Sequence, residues 1–224
     1  MHKPELVIII MEMLFEKYCD TLQRYLKSEA LPGLSVHMQL APKGRIDAQY
    51  MNTPQSSRSA AVLILLYKAE SEIYLPLIRR TENGTHGGQI ALPGGAHEGS
   101  ENFPIDTALR EAHEEIDIAP EEVDVLGVLT PLFVAVSNYS VTPVVACTHG
   151  KAEMQPQPSE VEEILPLPLK EILKLPEEGL FESSNGQIAA PYYRSSIGRI
   201  WGATAMLLSE FVYIHHRVEH QNKL

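Results

Sequence analysis

GGAHEGSENFPIDTALREAHEEIDI, residues 94–118, puts two glycines and a charged loop ahead of a short helix that ends in clustered carboxylates. At about 100° of rotation per residue, Ile105, Ala108, Leu109, Ala112 and Ile116 share one narrow stripe, which predicts a core-facing side. Glu111 and Glu115 are neighbours on the flank of that stripe, and Glu114 stands one position round. Like charges at this spacing destabilise an isolated helix by roughly 0.2–0.5 kcal/mol per pair, so the cluster makes most sense around a cation. Oxygen ligands favour Mg²⁺ or Mn²⁺. Taken alone, the run REAHEE reads better as a solvated face, and it is the preceding loop that shifts the balance. Gly94 and Gly95 permit a turn that a Cβ resists, while Glu101 and Arg110 bracket the helix start with opposite charges.

The composition places this segment in an ordinary globular chain. Of 224 residues, 44% are hydrophobic and 21% charged, enough for a full core in one domain with an appendage or in two small domains. A net charge of −11 argues against nucleic acid as a partner, because backbone binding needs clustered Lys and Arg. A small anionic substrate stays compatible if metal ions and local basic residues reverse the sign within the site. Cys19 and Cys147 are the only cysteines and form no C-x-x-C, so neither a disulfide framework nor a zinc site is expected, and a reducing cytoplasm fits best. The run Val7 to Ile10 is too short to span a membrane and no cleavage site follows it, which predicts neither export nor anchoring.

Outward from the acidic helix, periodicity supplies the other elements. Met11, Leu14, Phe15, Tyr18, Leu22, Tyr25 and Leu26 predict a packing helix over 11–27. Pro32, Gly33, Pro42, Gly44 and Pro54 predict an irregular surface connection up to residue 59, in which Lys43 and Arg45 read as solvated charges. Residues 59–67 and 72–79 predict a strand hairpin, and 90–92 a short strand entering the glycine turn. Strands follow at 123–132, 141–148, 160–165 and 187–193, with a short helix at 168–175 and a closing helix over about 201–214. This irregular order favours a mixed-sheet sandwich over a doubly wound sheet.

The glycine turn and acidic helix together resemble the Nudix box of the Nudix hydrolases: a glycine, five residues, Glu, seven residues, then Arg-Glu-apolar-x-Glu-Glu-x-Gly-apolar. Gly95, Glu101, Arg110, Glu111, Ala112, Glu114, Glu115 and Ile118 match. Eight residues rather than seven precede Arg110, and Asp117 replaces the glycine. The longer spacing and the TALREA start are similar to the coenzyme A pyrophosphatase branch. Asp117 is expected to end the helix in a left-handed or turn conformation, with Pro120 blocking continuation. The stretch from Ile78 to Gly95, IRRTENGTHGGQIALPGG, resembles that branch's second signature through Arg79, His86, Gly88, Gln89, Pro93, Gly94 and Gly95. It departs at Arg80, Gly84 and Leu92, where the signature has a small residue, an arginine and a phenylalanine.

The resemblance implies an α/β/α sandwich with a mixed sheet, comprising a Nudix domain over 59–224 and an N-terminal helix and connection over 1–58. It implies a metal-dependent pyrophosphohydrolase in which Glu111, Glu114 and Glu115 hold the cation and act in catalysis with Arg110. Arg79, His86, Gln89, Gly94 and Gly95 would bind a small nucleotide. Arg110 would orient Glu111 and pair with Glu101, and the general base is left open between Glu111, Glu160 and another group. Coenzyme A or an acyl derivative leads as substrate, ahead of ADP-ribose or another nucleoside diphosphate derivative. A non-catalytic nucleotide sensor is the alternative from a different class, against which the complete set of Arg110, Glu111, Glu114 and Glu115 argues. A homodimer is compatible with each reading. Glu160 and Glu162 resemble the later acidic segment in which some Nudix enzymes place a general base, with surface acid an equally good account. Tyr192, Tyr193 and Arg194 could stack on an adenine ring, although aromatic strand residues usually pack, and Trp201 reads as core at a helix start. His215, His216 and His220 fall in a polar tail with no ligand spacing.

Overall fold

The computed structural model describes residues 3–43, 53–69, 71–82, 87–148, 153–183 and 186–221. The central strand, β1 (Arg58–Ala69), shows how the layers arise. Successive strand side chains point to opposite faces, so Ala61, Leu63 and Leu65 enter one core and Ile64 and Leu66 the other. The first core is closed by the acidic helix α3 (Ile105–Ile116) through Ala108, Ala112 and Ile116, with Ile105 and Leu109 half-buried at its margin. The second is closed by α1 (Lys3–Ser28) and α5 (Gly202–Gln221), which insert Phe15, Tyr18, Leu22, Leu208, Phe211 and Ile214. Helices thus cover both faces of one sheet, the α/β/α sandwich expected.

The sheet is mixed. Strand β1 runs parallel to β7 (Tyr139–Thr148) and antiparallel to β2 (Glu72–Arg80) and β4 (Gly94–Ala96). Strand β2 continues to β3 (Ile90–Ala91) and β8 (Val161–Pro168), and β7 to β5 (Val123–Val128) and β6 (Leu132–Val134). A separate antiparallel sheet orders β11 (Gly198–Trp201), β10 (Gly186–Ser195) and β9 (Glu177–Ser183). The short helix α4 is Leu169–Ile172, and α2, Leu34–His37, leads into a 3₁₀ turn at Met38–Leu40.

Several expectations are corrected. The first helix begins at Lys3, since Pro4 is tolerated in a first turn, and its buried face is Phe15, Tyr18, Cys19, Leu22 and Tyr25 while Leu14 is exposed. The strand expected over 123–132 is two strands, because Pro131 has no N–H and the Thr130 N–H donates to Glu210. The connection after Pro32 is partly buried structure, with Val36, His37 and Leu40 packed inward. The closing helix continues to Gln221, so His215 is buried and bonded at 2.7 Å to the Tyr18 hydroxyl instead of lying in a tail. Trp201 ends a strand and stacks on Phe181. Among the described residues no helix is long and apolar enough to cross a membrane.

Glu210 ties the layers together with no exposed surface. It accepts hydrogen bonds from Gly33 N–H (2.9 Å), Thr130 N–H (3.0 Å) and Thr130 Oγ1 (2.7 Å), and lies 3.1 Å from His37 Nε2. Burial opposes its charge, but His37 and Thr130 outweigh burial and hold its pKa below the ordinary 4.5. A lowered carboxylate pKa contributes stability above the unfolded value and loses it as pH falls through the folded one. Glu210→Ala strands four partners and should cost about 3–5 kcal/mol at neutral pH. Urea unfolding should show that deficit shrinking as the pH is lowered below 4.5; a constant deficit would remove the electrostatic account.

Candidate active site

The glycine turn and α3 meet edge to edge. Gly94 has φ +150°, and a Cβ there would fall 2.3 Å from the Ala61 carbonyl oxygen, so only glycine lets β4 lie this close to β1. Its N–H then points at α3 and donates to Glu115 Oε2 at 2.8 Å. Glu115 is 1% exposed. Burial pushes its carboxyl up to about 7 against the lowering influence of the Gly94 N–H and Arg80, and Glu111 and Glu160 add to the rise. At Gly95 an added Cβ would meet the Glu111 carboxylate at 2.4–2.5 Å, so Glu111 rests on the bare glycine backbone. Glu111 is likewise raised, first by burial and further by Glu114 and Glu160, with Arg110 opposing.

Arg110 organises the remaining acids. Its Nε donates to Glu101, its Nη2 donates to the Ala96 carbonyl at 2.9 Å and lies 2.9 Å from Glu111, and its Nη1 reaches Glu114 at 2.7 Å. Glu101 is held down to about 2 by Arg110 and Thr107. Helix α3 ends at Asp117, which takes φ 55° and ψ 38°, the left-handed conformation anticipated for it.

Glu111 and Glu115 are therefore brought together on the Gly94–Gly95 turn, whereas Glu114 is half-exposed on Arg110. Among the described residues no three His, Cys, Asp or Glu side chains converge as a ready cation site. Two carboxylates still fit a hard divalent cation, because Mg²⁺ is commonly held by one or two carboxylates with the rest of its shell from water and substrate phosphate. Both carboxyls also carry raised proton affinity, the state from which a cation displaces a proton. Glu160 stands at the entrance to β8, exposed, and its charge reaches both Glu111 and Glu115.

The adjacent arginines separate. A register shift between Arg79 and Arg80 lets the end of β2 bulge. Arg80 reaches Glu115 Oε1 at 3.4 Å and lines a cavity of about 950 Å³ floored by Gly94 and Gly95 and walled by Val134, Tyr139, Trp201 and Leu207. Arg79 turns to a second pocket, near Glu163 at 3.6 Å, and Gln89 lines both spaces. His86 and Gly84 lie outside the described residues, as does Arg45. Lys43 pairs with Glu178 at 3.1 Å. Tyr192 and Arg194 are committed to Glu177. Tyr192 and Tyr193 are buried, so the two aromatic residues pack as expected, whereas Arg194 stays exposed.

The sequence marks Arg80 as a departure from the signature that can supply a replacement charge beside Arg79 only where the strand ends or bulges, as it does here. It gives no signal for Tyr139, whose ring lies 4.1 Å from the Arg58 guanidinium at the cavity wall. Only the parallel pairing of β1 with β7 joins that pair.

The chain matches the NUDIX domain family over residues 57–184. It is 36% identical over 157 residues to the uncharacterized Nudix hydrolase NudL of Pectobacterium atrosepticum, covering 68% of this chain and 80% of that one. It is 33% identical over 172 residues to the NudL of Cronobacter sakazakii, covering 70% and 85% respectively. A solved MutT/nudix family protein from Enterococcus faecalis superposes with a TM-score of 0.47 at 16% identity, over 84% of this chain and 70% of the other.

Proposed function

The chain belongs to the Nudix hydrolase family, and we propose that it hydrolyses the pyrophosphate bond of a nucleoside diphosphate derivative, with coenzyme A or an acyl derivative as the leading substrate. The products would be 3′,5′-ADP and the corresponding 4′-phosphopantetheine. The observation that carries the reading is the buried Glu115 carboxylate, fixed by the Gly94 N–H beside Glu111 on Gly95.

Glu111 and Glu115 are the residues that would hold Mg²⁺ or Mn²⁺. When bound, the cation supplies charge neutralisation at the diphosphate and activation of water. The protein's own part is positioning. Arg110 holds Glu111 in place and draws Glu114 to the rim, where Glu114 can join the cation's shell only by leaving Arg110. Gly95 lets the Glu111 carboxylate lie against the backbone beside Glu115. Arg80 presents a guanidinium fork suited to phosphate oxygens at the cavity wall. Glu160 and Glu111 are the two candidates for accepting the proton of the attacking water, and Glu160, exposed and with its charge reaching both Glu111 and Glu115, suits that task better. Two free, buried cysteines suit a reducing cytoplasm.

A product-resolved assay with coenzyme A, ADP-ribose and nucleoside triphosphates, each with Mg²⁺, Mn²⁺ or EDTA, tests the reading. Cation-dependent release of 3′,5′-ADP is expected. Cleavage of ADP-ribose alone would reassign the substrate, and binding without cleavage of any compound would make the domain a sensor.

A further inference from the structure

A second pocket of about 630 Å³ adjoins the catalytic cavity, and Gln89, Ile90, Glu182 and Trp201 line both. Arg79 and Arg199 also line it. Arg79 pairs with Ile90 across β2 and β3. The Ile90 side chain in turn abuts Gly198, since a Cβ on that glycine would lie 3.0 Å from Ile90 Cδ1, and Arg199 follows directly. Arg79 and Arg199 are thus brought to opposite sides of one residue in the chain path and line the same pocket, although their strands belong to different sheets and their positions are far apart in the sequence.

We propose that this pocket seats a phosphate of the substrate that lies outside the diphosphate being cut, namely a phosphate carried on the ribose of the nucleoside. The proposal rests on the reading above that a nucleoside diphosphate derivative is the substrate. Arg199 is preorganised for the task. Its guanidinium lies 4.6 Å from the centre of the Phe181 ring, and Phe181 stacks on Trp201 at 4.4 Å and 15°. Stacking of this kind holds the guanidinium plane and leaves its N–H edge free to donate. Apart from a 3.5 Å bond to the Leu180 carbonyl, Arg199 has no ion-pair partner among the described residues. Arg79 has exposed Glu163 at 3.6 Å from its Nε and donates from Nη1 to the Gly88 carbonyl at 3.5 Å, which leaves its Nη2 edge available. Two such forks can hold one phosphate from two sides.

Glu82 and Glu182 also reach the pocket. Glu182 accepts from Gln187 Nε2 at 2.8 Å, and its charge opposes an anion, which gives the proposal a check of opposite sign. Because the two spaces are contiguous, a nucleotide with its diphosphate on the glycine turn can extend its ribose toward Arg79 and Arg199 without leaving the protein surface.

The test compares binding of adenosine 3′,5′-bisphosphate and adenosine 5′-monophosphate by calorimetry without added divalent cation. The native protein should prefer the bisphosphate by roughly 10- to 150-fold, the range for one or two charge-assisted hydrogen bonds. Arg199→Gln should lose most of that preference, Arg199→Lys should retain part of it, and Glu182→Gln should widen it. Equal binding of the two nucleotides by the native protein, or a preference that survives Arg199→Gln, would overturn the proposal. The ratio of kcat/KM for coenzyme A over 3′-dephospho-coenzyme A separates this from failure of the substrate reading. A protein that cleaves both equally, with and without Arg199, keeps the reading and loses the phosphate seat. One that cleaves neither but retains an Arg199-dependent binding preference loses the reading and keeps the seat.

Discussion

Glu115→Gln is expected to lower kcat/KM on the order of 10³-fold while leaving the protein as stable as before, or more so. The amide oxygen of Gln can still accept the Gly94 N–H that holds Glu115 at 2.8 Å, so the turn keeps its tie to α3. What disappears is a negative charge in a place where burial already disfavours it and pushes the carboxyl up to about 7. Removing a buried charge relieves a desolvation penalty, which is why Tm should not fall. Function goes the other way, because a divalent cation at a diphosphate supplies several kcal/mol of transition-state stabilisation and each 1.36 kcal/mol is about tenfold in rate. Steady-state kinetics across a Mg²⁺ titration, beside thermal unfolding, measure both halves. Native-like turnover by the variant in EDTA would sink the assignment of Glu115.

The acidic helix was legible in the sequence because its information is local. Helical rotation places Glu111 beside Glu115 and puts Ala108, Ala112 and Ile116 inside, and the structure has them so. Asp117 and Pro120 stopped the helix where local stereochemistry says they should. The mixed sheet followed from the irregular order of strands and helices and the α/β/α layering from the family resemblance; the continuous apolar run of β1 is what lets Ala61, Leu63 and Leu65 serve one core and Ile64 and Leu66 the other. Where the reading failed, a distant partner decided the outcome. Thr130 reads as one more strand residue until Glu210, 80 positions on, takes its N–H. Residues 177–183 and 198–201 carry weak strand signals, with Pro176 just before the first, Gly179 within it and Gly198 opening the second, and become strands only because β10 lies between them.

The same distinction governs the site. A linear motif finds Glu111 and Glu115, but it gives no sign that Arg80 approaches Glu115 while Arg79 enters a different pocket. Alternation alone would send neighbouring strand residues to opposite faces. The register shift between them, produced as β2 ends against β8, redirects the pair. Nor does any local pattern relate Arg199 to Arg79, because their proximity comes from a small sheet laid against the edge of the large one.

Gly94→Ala and Gly95→Ala, adjacent changes of one methyl group each, should fail in opposite ways. At Gly94 the new Cβ would sit 2.3 Å from the Ala61 carbonyl oxygen and 2.6 Å from Val62 Cα, and the residue would have to hold φ +150°. Both obstacles are backbone, so relief requires β4 to withdraw from β1. Strain and overpacking together should cost about 2–5 kcal/mol, and activity should fall as the folded fraction and the Glu115 tether are lost. At Gly95 the backbone is unstrained and the obstacle is the Glu111 carboxylate at 2.4–2.5 Å. A carboxylate at the end of a flexible side chain can swing aside, so Gly95→Ala should change stability by less than about 1 kcal/mol. Glu111 would then lie an ångström or more from its native position beside Glu115, and a displacement of that size costs about 10²-fold in rate. Urea unfolding and kcat/KM measured on both variants separate the two effects. Full activity in a stable Gly95→Ala protein would mean that the seat of Glu111 on the glycine turn has no part in the reaction.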